Sequence, residues 1–273
     1  MKLGICNETF KEDNKFWPLK DIMEYIANLG YEGIEFAPFT LASSVEEIPL
    51  SKRKEISSLA KNYGLEVIGL HWLLVSPPGL SVSSFDKKIR KKTTEYLKSL
   101  IDFCADIGGR MLIFGSPKQR NIEKDSNYEE TKARVKEVFI ESAERAKERG
   151  VIICIEPLAR SETNFINTAK EAVSLIKEIN HPNFKLHLDV KAMSDEERPI
   201  PRIIKENKDY LFHFHANDPN GQGPGFGRVD FAPIIEALRE IKYSGFISVE
   251  VFDISPGPRK IAKDSLIYLK KFL

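Results

Sequence analysis

The chain of 273 residues is expected to adopt an α/β fold, a single (β/α)8 TIM barrel over residues 1–273. Three observations carry this expectation. Eight short apolar runs alternate with segments of helical periodicity from one end of the chain to the other. The runs are continuously apolar, as in parallel strands covered by helices, and do not alternate like half-exposed ones. No stretch between them is long or disordered enough to divide domains, and eight βα units in about this length close a barrel. A doubly wound open sheet is the competing arrangement, but neither GxGxxG nor GxxxxGK[ST] occurs.

The first unit is KLGICN followed by WPLKDIMEYIANLG, a helix with Pro18 early and Gly30 as its stop. YEGIEFAP is the second strand, with Glu35 at its end, and SKRKEISSLAKNYG is its helix, opened by Ser51 and closed by Gly64. LEVIGLHW precedes a long helix over residues 85–107, whose basic run at 87–98 reads as a solvated face. RMLIFG is followed by YEETKARVKEVFIESAERAKERG, which sets Val135, Val138, Phe139, Ala143 and Ala146 on one face. VIICIEP pairs with NTAKEAVSLIKEI, and FKLHLDV with a weaker helix around residues 200–207. YLFHFHAND leads to FAPIIEALREIK, and GFISVEVF to a terminal helix from about Arg259.

Composition narrows the function. A net charge of +1 gives no electrostatic reason for a nucleic-acid or anionic-membrane partner. MKLGICNETF lacks the apolar segment of a signal peptide, and no uncharged apolar run approaches the roughly 18–20 residues of a membrane span. Cys6, Cys104 and Cys154 are odd in number, far apart and set in apolar segments, so they read as reduced core residues. A cytoplasmic protein is expected.

Chemistry in such barrels gathers at the C-terminal strand ends. The polar residues there are Glu8, Glu35, His71, Glu156, Asp189, His215 and Glu250. Four successive strands, the fifth to the eighth, end in Glu156, Asp189, His215 and Glu250. Closing the barrel brings these four around one point, where three carboxylates without a cation would repel one another. One divalent ion removes that conflict, and this donor set suits Mn²⁺, Mg²⁺ or Co²⁺ better than a structural zinc, with zinc still admissible. His215 then points inward as the nitrogen donor, and His213, two residues earlier, faces the same interior as a supporting or packing residue.

The motifs EPLARSETNFINTAKEA (156–172), LHLDVKAMSDEE (186–197), HFHANDPNGQGPGFGRVDF (213–231) and GFISVEVF (245–252) resemble those of the xylose-isomerase-like barrels, most closely the ketose 3-epimerase (tagatose/psicose epimerase-like) branch. The resemblance implies one divalent metal held by Glu156, Asp189, His215 and Glu250, with Glu156 and Glu250 also the catalytic acid and base. It implies a substrate contact at Glu162. Two positions depart from that branch: Ala192 stands where a substrate-binding His is usual, and Gly221 where an Arg is usual. Lys191 and Arg160 are candidate replacement anchors. His71 and Glu8 are candidate hydroxyl contacts, and the GQGPGFG loop reads as a lid, an anion cradle or a long turn.

The expected reaction is proton abstraction beside a carbonyl through a metal-stabilised enediolate, with reprotonation on the opposite face. The partner is a small carbohydrate or polyol, and a homo-oligomer is open. A dehydratase acting on a keto-polyol would use the same first half-reaction. An endonuclease of the same fold would need more histidines than five and a basic surface. A barrel that only binds a metabolite would have no use for two facing glutamates.

Overall fold

The computed structural model describes residues 1–273, and its main sheet closes on itself. Strands β1 (Lys2–Cys6), β2 (Gly33–Phe36), β3 (Glu66–Leu70), β4 (Met111–Phe114), β5 (Ile152–Ile155), β6 (Phe184–Asp189), β7 (Leu211–Ala216) and β8 (Phe246–Val249) lie in chain order, and β8 pairs with β1 to complete the barrel. Every barrel pairing is parallel. The helices outside are α1 (Leu19–Leu29), α2 (Leu50–Asn62), α3 (Lys87–Asp106), α4 (Tyr128–Arg149), α5 (Ala169–Ile179), α6 (Ile200–Glu206), α7 (Ala232–Glu240) and α8 (Pro258–Lys270). None is long and apolar enough to cross a membrane. The (β/α)8 architecture predicted from the alternation is the one observed.

Local chemistry sets the helix ends. Asp86 accepts from the Lys88 amide, Asn127 from Glu130, and Thr168 forms a reciprocal capping box with Glu171. The strands are buried on both faces, as their unbroken apolar runs require. Their outward side chains join the helices in a cluster of 65 buried residues. A smaller cluster of Ile68, Met111, Ile113 and Cys154, with Phe212 and Phe246 against it, completes the apolar packing. All three cysteines are free and buried.

Three local features differ from the sequence reading. A two-stranded hairpin, Lys11–Glu12 with Lys15–Phe16, projects between β1 and α1, too short to leave a periodic signal. A single helical turn, Val190–Met193, follows Asp189 directly, because the Asp189 side chain caps it by accepting from the Ala192 amide. The basic run on α3 is not wholly solvated. Lys87, Lys88, Lys91 and Lys92 are exposed, but Arg90 is buried and donates to the Ser84 carbonyl at 2.7 Å.

Candidate active site

Four side chains converge at the C-terminal mouth of the barrel. Glu156 follows the last residue of β5, Asp189 ends β6, His215 is the penultimate residue of β7, and Glu250 follows β8. One donor atom from each lies within 4.8 Å of every other, and all four residues are buried. A small octahedral ion bound at about 2.1 Å holds adjacent donors about 3 Å apart and opposite donors about 4 Å apart. The cluster is therefore close to the size one divalent ion requires.

Electrostatics point the same way. Burial, then the Glu250 and Asp189 charges, push the Glu156 carboxyl well above its ordinary range. Burial and then Glu250 push Asp189 up to about 6. Burial also works against ionised Glu250, but the charge and hydrogen bond of His215 more than offset it and hold Glu250 low. Without a cation the pocket must therefore keep protons on carboxylates and a charge on His215. A divalent ion is the natural substitute for both, and these hard oxygens with one imidazole fit Mn²⁺, Mg²⁺ or Co²⁺.

The support beneath the four donors was only partly read from the sequence. Glu35 lies within β2 and is fully buried. Its Oε1 accepts from His215 Nε2 at 3.0 Å, and its Oε2 accepts from His213 Nε2 at 2.8 Å. Burial works against the Glu35 charge, but His215 and His213 hold it well below the usual carboxylate range. With Nε2–H committed to Glu35, Nδ1 is the His215 nitrogen that faces the cluster, 3.1 Å from Glu250 Oε2. Asn217 donates to Asp189 Oδ2, and the Ala192 amide donates to Asp189 Oδ1 at 2.8 Å.

His187 was not singled out from the sequence. It packs against His215 with ring centroids 4.2 Å apart, and its Nε2 lies 3.7 Å from Glu156 Oε1. Burial and then His215 hold its ring well below the usual imidazole range, so it is neutral. The signal was available: His187 stands two residues before Asp189 as His213 stands before His215, so both face the barrel interior. Arg120 left no such signal. It is fully buried and donates to the carbonyls of Glu156 at 2.6 Å and Ile166 at 3.0 Å, gripping both ends of the segment that carries Glu162.

Above the cluster lies a small cavity walled by Trp72 and Phe252, whose rings are 6.0 Å apart. Gly115 lies at its edge, where a Cβ would come 2.4 Å from Glu156 Oε2 and displace that carboxylate. Glu162 and Lys191 both reach this cavity, where they meet in a 2.8 Å ion pair with the Lys191 ammonium 4.8 Å from the Phe252 ring centre. His71 also lines it. Glu8 stands one step behind, in the turn after β1, with Oε2 2.9 Å from His71 Nε2.

Arg160 does not reach the cavity. It is exposed, and its amide and guanidinium both bind Asp195. The tight turn in which the Glu162 and Thr163 amides return to the Ala159 carbonyl swings it outward.

The GQGPGFG loop is folded on itself. Asp218 is buried and accepts from the Arg228 and Val229 amides at 3.2 and 3.3 Å, which spends those donors on an internal anion. Gly221 has φ +83°, and its carbonyl accepts from the Phe252 and Asp253 amides at 2.7 and 2.8 Å. The loop is therefore tied to the cavity wall that Phe252 forms.

Comparison with known proteins agrees with this architecture. Residues 23–272 match the family model described as xylose isomerase-like TIM barrel. A D-psicose 3-epimerase of Ruminiclostridium cellulolyticum is 32% identical over 264 residues, 92% of this chain and 84% of that protein. A 3-dehydro-D-guloside 4-epimerase of Escherichia coli is 25% identical and matches over 99% of both chains. The crystal structure of D-psicose 3-epimerase with D-tagatose from Clostridium cellulolyticum H10 superposes with a TM-score of 0.88 at 27% identity, covering 100% of this chain and 99% of that one.

Proposed function

The chain belongs to the xylose isomerase-like TIM-barrel family, and on that premise we propose that it is a divalent-metal-dependent sugar epimerase. Its metal would be held by Glu156, Asp189, His215 and Glu250. The observation that carries this reading is the approach of those four donors, from four consecutive strands, to within 4.8 Å of one another. When bound, the ion supplies Lewis-acid polarisation of a substrate carbonyl, which acidifies the neighbouring C–H.

The protein's own residues do the rest. Glu156 and Glu250 stand on β5 and β8, three strands apart around the rim, so they approach a substrate in the cavity from different sides. One carboxylate takes the α-proton from one face of the carbon, and the other carboxyl delivers a proton to the opposite face. Glu35 and Asn217 fix the orientation of His215 and Asp189. Glu162 and Lys191 offer an acceptor and a donor to hydroxyls at the mouth, and Trp72 and Phe252 present flat apolar walls to the C–H faces of a sugar.

The substrate we favour is a keto-sugar that differs from a free ketohexose near its carbonyl. Ala192 is a buried methyl beside Asp189, and Gly221 carries no side chain in a backbone conformation tied to Phe252. Neither supplies the donors that the ketose-epimerase resemblance leads one to expect. The full-length match to a 3-dehydro-D-guloside 4-epimerase supports a modified sugar of this kind. The test is to incubate the Mn²⁺-loaded protein with a panel of ketohexoses, keto-glycosides, inososes and keto-sugar acids in deuterium oxide, followed by NMR. Deuterium entering the carbon beside the carbonyl with an inverted hydroxyl is expected for a keto-sugar. Exchange with loss of water would make the protein a dehydratase, and no exchange with any compound would overturn the reading.

A further inference from the structure

We propose that the keto-sugar carries an aromatic aglycone, and that this group lies on a strip of four aromatic rings leading out of the catalytic cavity: Phe252, Trp72, Phe39 and Phe16. The inference rests on the epimerase reading above, because it extends that substrate beyond its reacting ring. Neighbouring ring centres along the strip are 6.0, 6.2 and 5.9 Å apart. The rings come from four separate segments: the turns after β8, β3 and β2, and the hairpin between β1 and α1. No periodicity in the sequence announces such a row, and only the closed barrel assembles it on the rim.

Exposure and backbone strain are the supporting observations. Phe252 is 42% exposed, and Phe16, Phe39 and Trp72 are half-buried. A contiguous apolar patch that opens into a catalytic cavity is a place where the apolar part of a ligand leaves water. Trp72 is held at φ +54°, a left-handed conformation that is an outlier for so bulky a residue. The chain accepts that strain at the one position that sets an indole between Phe39 and Phe252.

Chemistry selects the occupant. Phenylalanine rings offer no hydrogen bond, and the one polar side-chain atom of the strip, Trp72 Nε1, is buried. A second sugar lying here would bring hydroxyls that find no partner on these rings, and polar groups buried unpaired are costly. An aromatic aglycone has nothing to satisfy, and it packs edge-on or offset against rings spaced as these are. Ammonium groups close the strip at both ends. Lys191 stands 4.8 Å from the Phe252 ring centre and Lys11 5.5 Å from that of Phe16. The strip therefore has a defined length of four rings. The cavity end takes the sugar, and Phe39 and Phe16 remain for the group attached to it.

The test compares methyl and naphthyl β-glucosides on the Mn²⁺-loaded full chain. Binding of the glucosides is followed by calorimetry, and epimerisation of their keto derivatives by NMR in deuterium oxide. The naphthyl compounds should bind, and turn over in kcat/KM, at least about tenfold better than the methyl ones, the gain from one well-packed aromatic contact. Phe39→Ala and Phe16→Ala should each bring that ratio down toward one; if one fails to fold, the other carries the test. A merely structural role would lower both compounds together and keep the ratio, which overturns the proposal. Equal treatment of the two glycosides by the wild type also overturns it, and leaves the epimerase reading standing if the methyl keto-glycoside is epimerised. A dimer that Phe39→Ala dissociates, with no naphthyl preference, would make the strip a subunit interface and overturn it likewise. A naphthyl preference in binding without turnover of any keto-glycoside keeps the strip and sinks the epimerase reading.

Discussion

Glu35→Ala is the most informative single change, because Glu35 does not line the cavity and yet hydrogen-bonds two imidazoles at once. Its oxygens accept from His213 and His215 at 2.8 and 3.0 Å in a fully buried setting. Removing them leaves two buried ring N–H groups unpaired, at about 1–3 kcal/mol each, so the folded protein should lose about 2–6 kcal/mol. His215 also loses the partner that fixes its tautomer, and losing such a support typically weakens metal binding by ~10–100-fold. Glu35→Gln keeps one acceptor oxygen and should fall between. The assay is calorimetric titration of the stripped protein with Mn²⁺, with thermal unfolding in the presence and absence of the ion. Wild-type Mn²⁺ affinity in Glu35→Ala would refute the claim that Glu35 orients a metal-binding histidine.

Other outcomes follow from the same geometry. Glu156→Gln and Glu250→Gln should each lower kcat by at least ~10²–10⁴-fold while retaining the fold; near-normal turnover in either excludes a two-base epimerisation. In the metal-free protein, Asp189 is raised on folding from 3.8 to about 6. A carboxylate raised in this way stabilises the fold fully below about pH 4, and that contribution, up to about 3 kcal/mol, is lost as pH rises through about 6. Under chelation, Asp189→Asn should therefore gain stability relative to wild type across that window, and a constant difference in urea melts would contradict the assignment. Gly221→Arg should not create ketohexose activity, because Arg at φ +83° costs about 1–2 kcal/mol and strains the loop against Phe252. A clear rise in kcat/KM for a free ketohexose would show that the loop is more adaptable than its hydrogen bonds suggest.

What the sequence disclosed follows from where side chains sit along a strand. The strands were legible because both faces are buried, which makes most of them unbroken apolar runs such as VIICI. Glu156, Asp189, His215 and Glu250 were legible because each interrupts such a run at the same end. Glu35 looked like one more strand-end carboxylate, and only the cross-barrel distances show it holding His213 and His215. Arg120 in SPKQRN has the composition of a surface loop, and nothing local signals that its guanidinium is enclosed by two carbonyls. Arg160, a candidate replacement anchor in the sequence, is sent to Asp195 by one tight turn at Ala159, which only the folded backbone discloses.

The bonds from Glu35 to His213 and His215 also bear on how long the native state persists. They run across the barrel from the second strand to the seventh, inside the ring of backbone pairing that closes between β8 and β1. Opening the barrel at that closure draws β7 and β8 away from β2, so it must break these polar contacts, and as the freed sheet flattens it spreads the strand ends that carry Glu156, Asp189, His215 and Glu250. An ion shared by those donors would oppose that flattening and have to leave before it is complete. Unfolding should then be gated by ion release, with a half-life that lengthens with metal occupancy more steeply than the refolding rate changes, and the catalytic centre would serve as the molecule's latch.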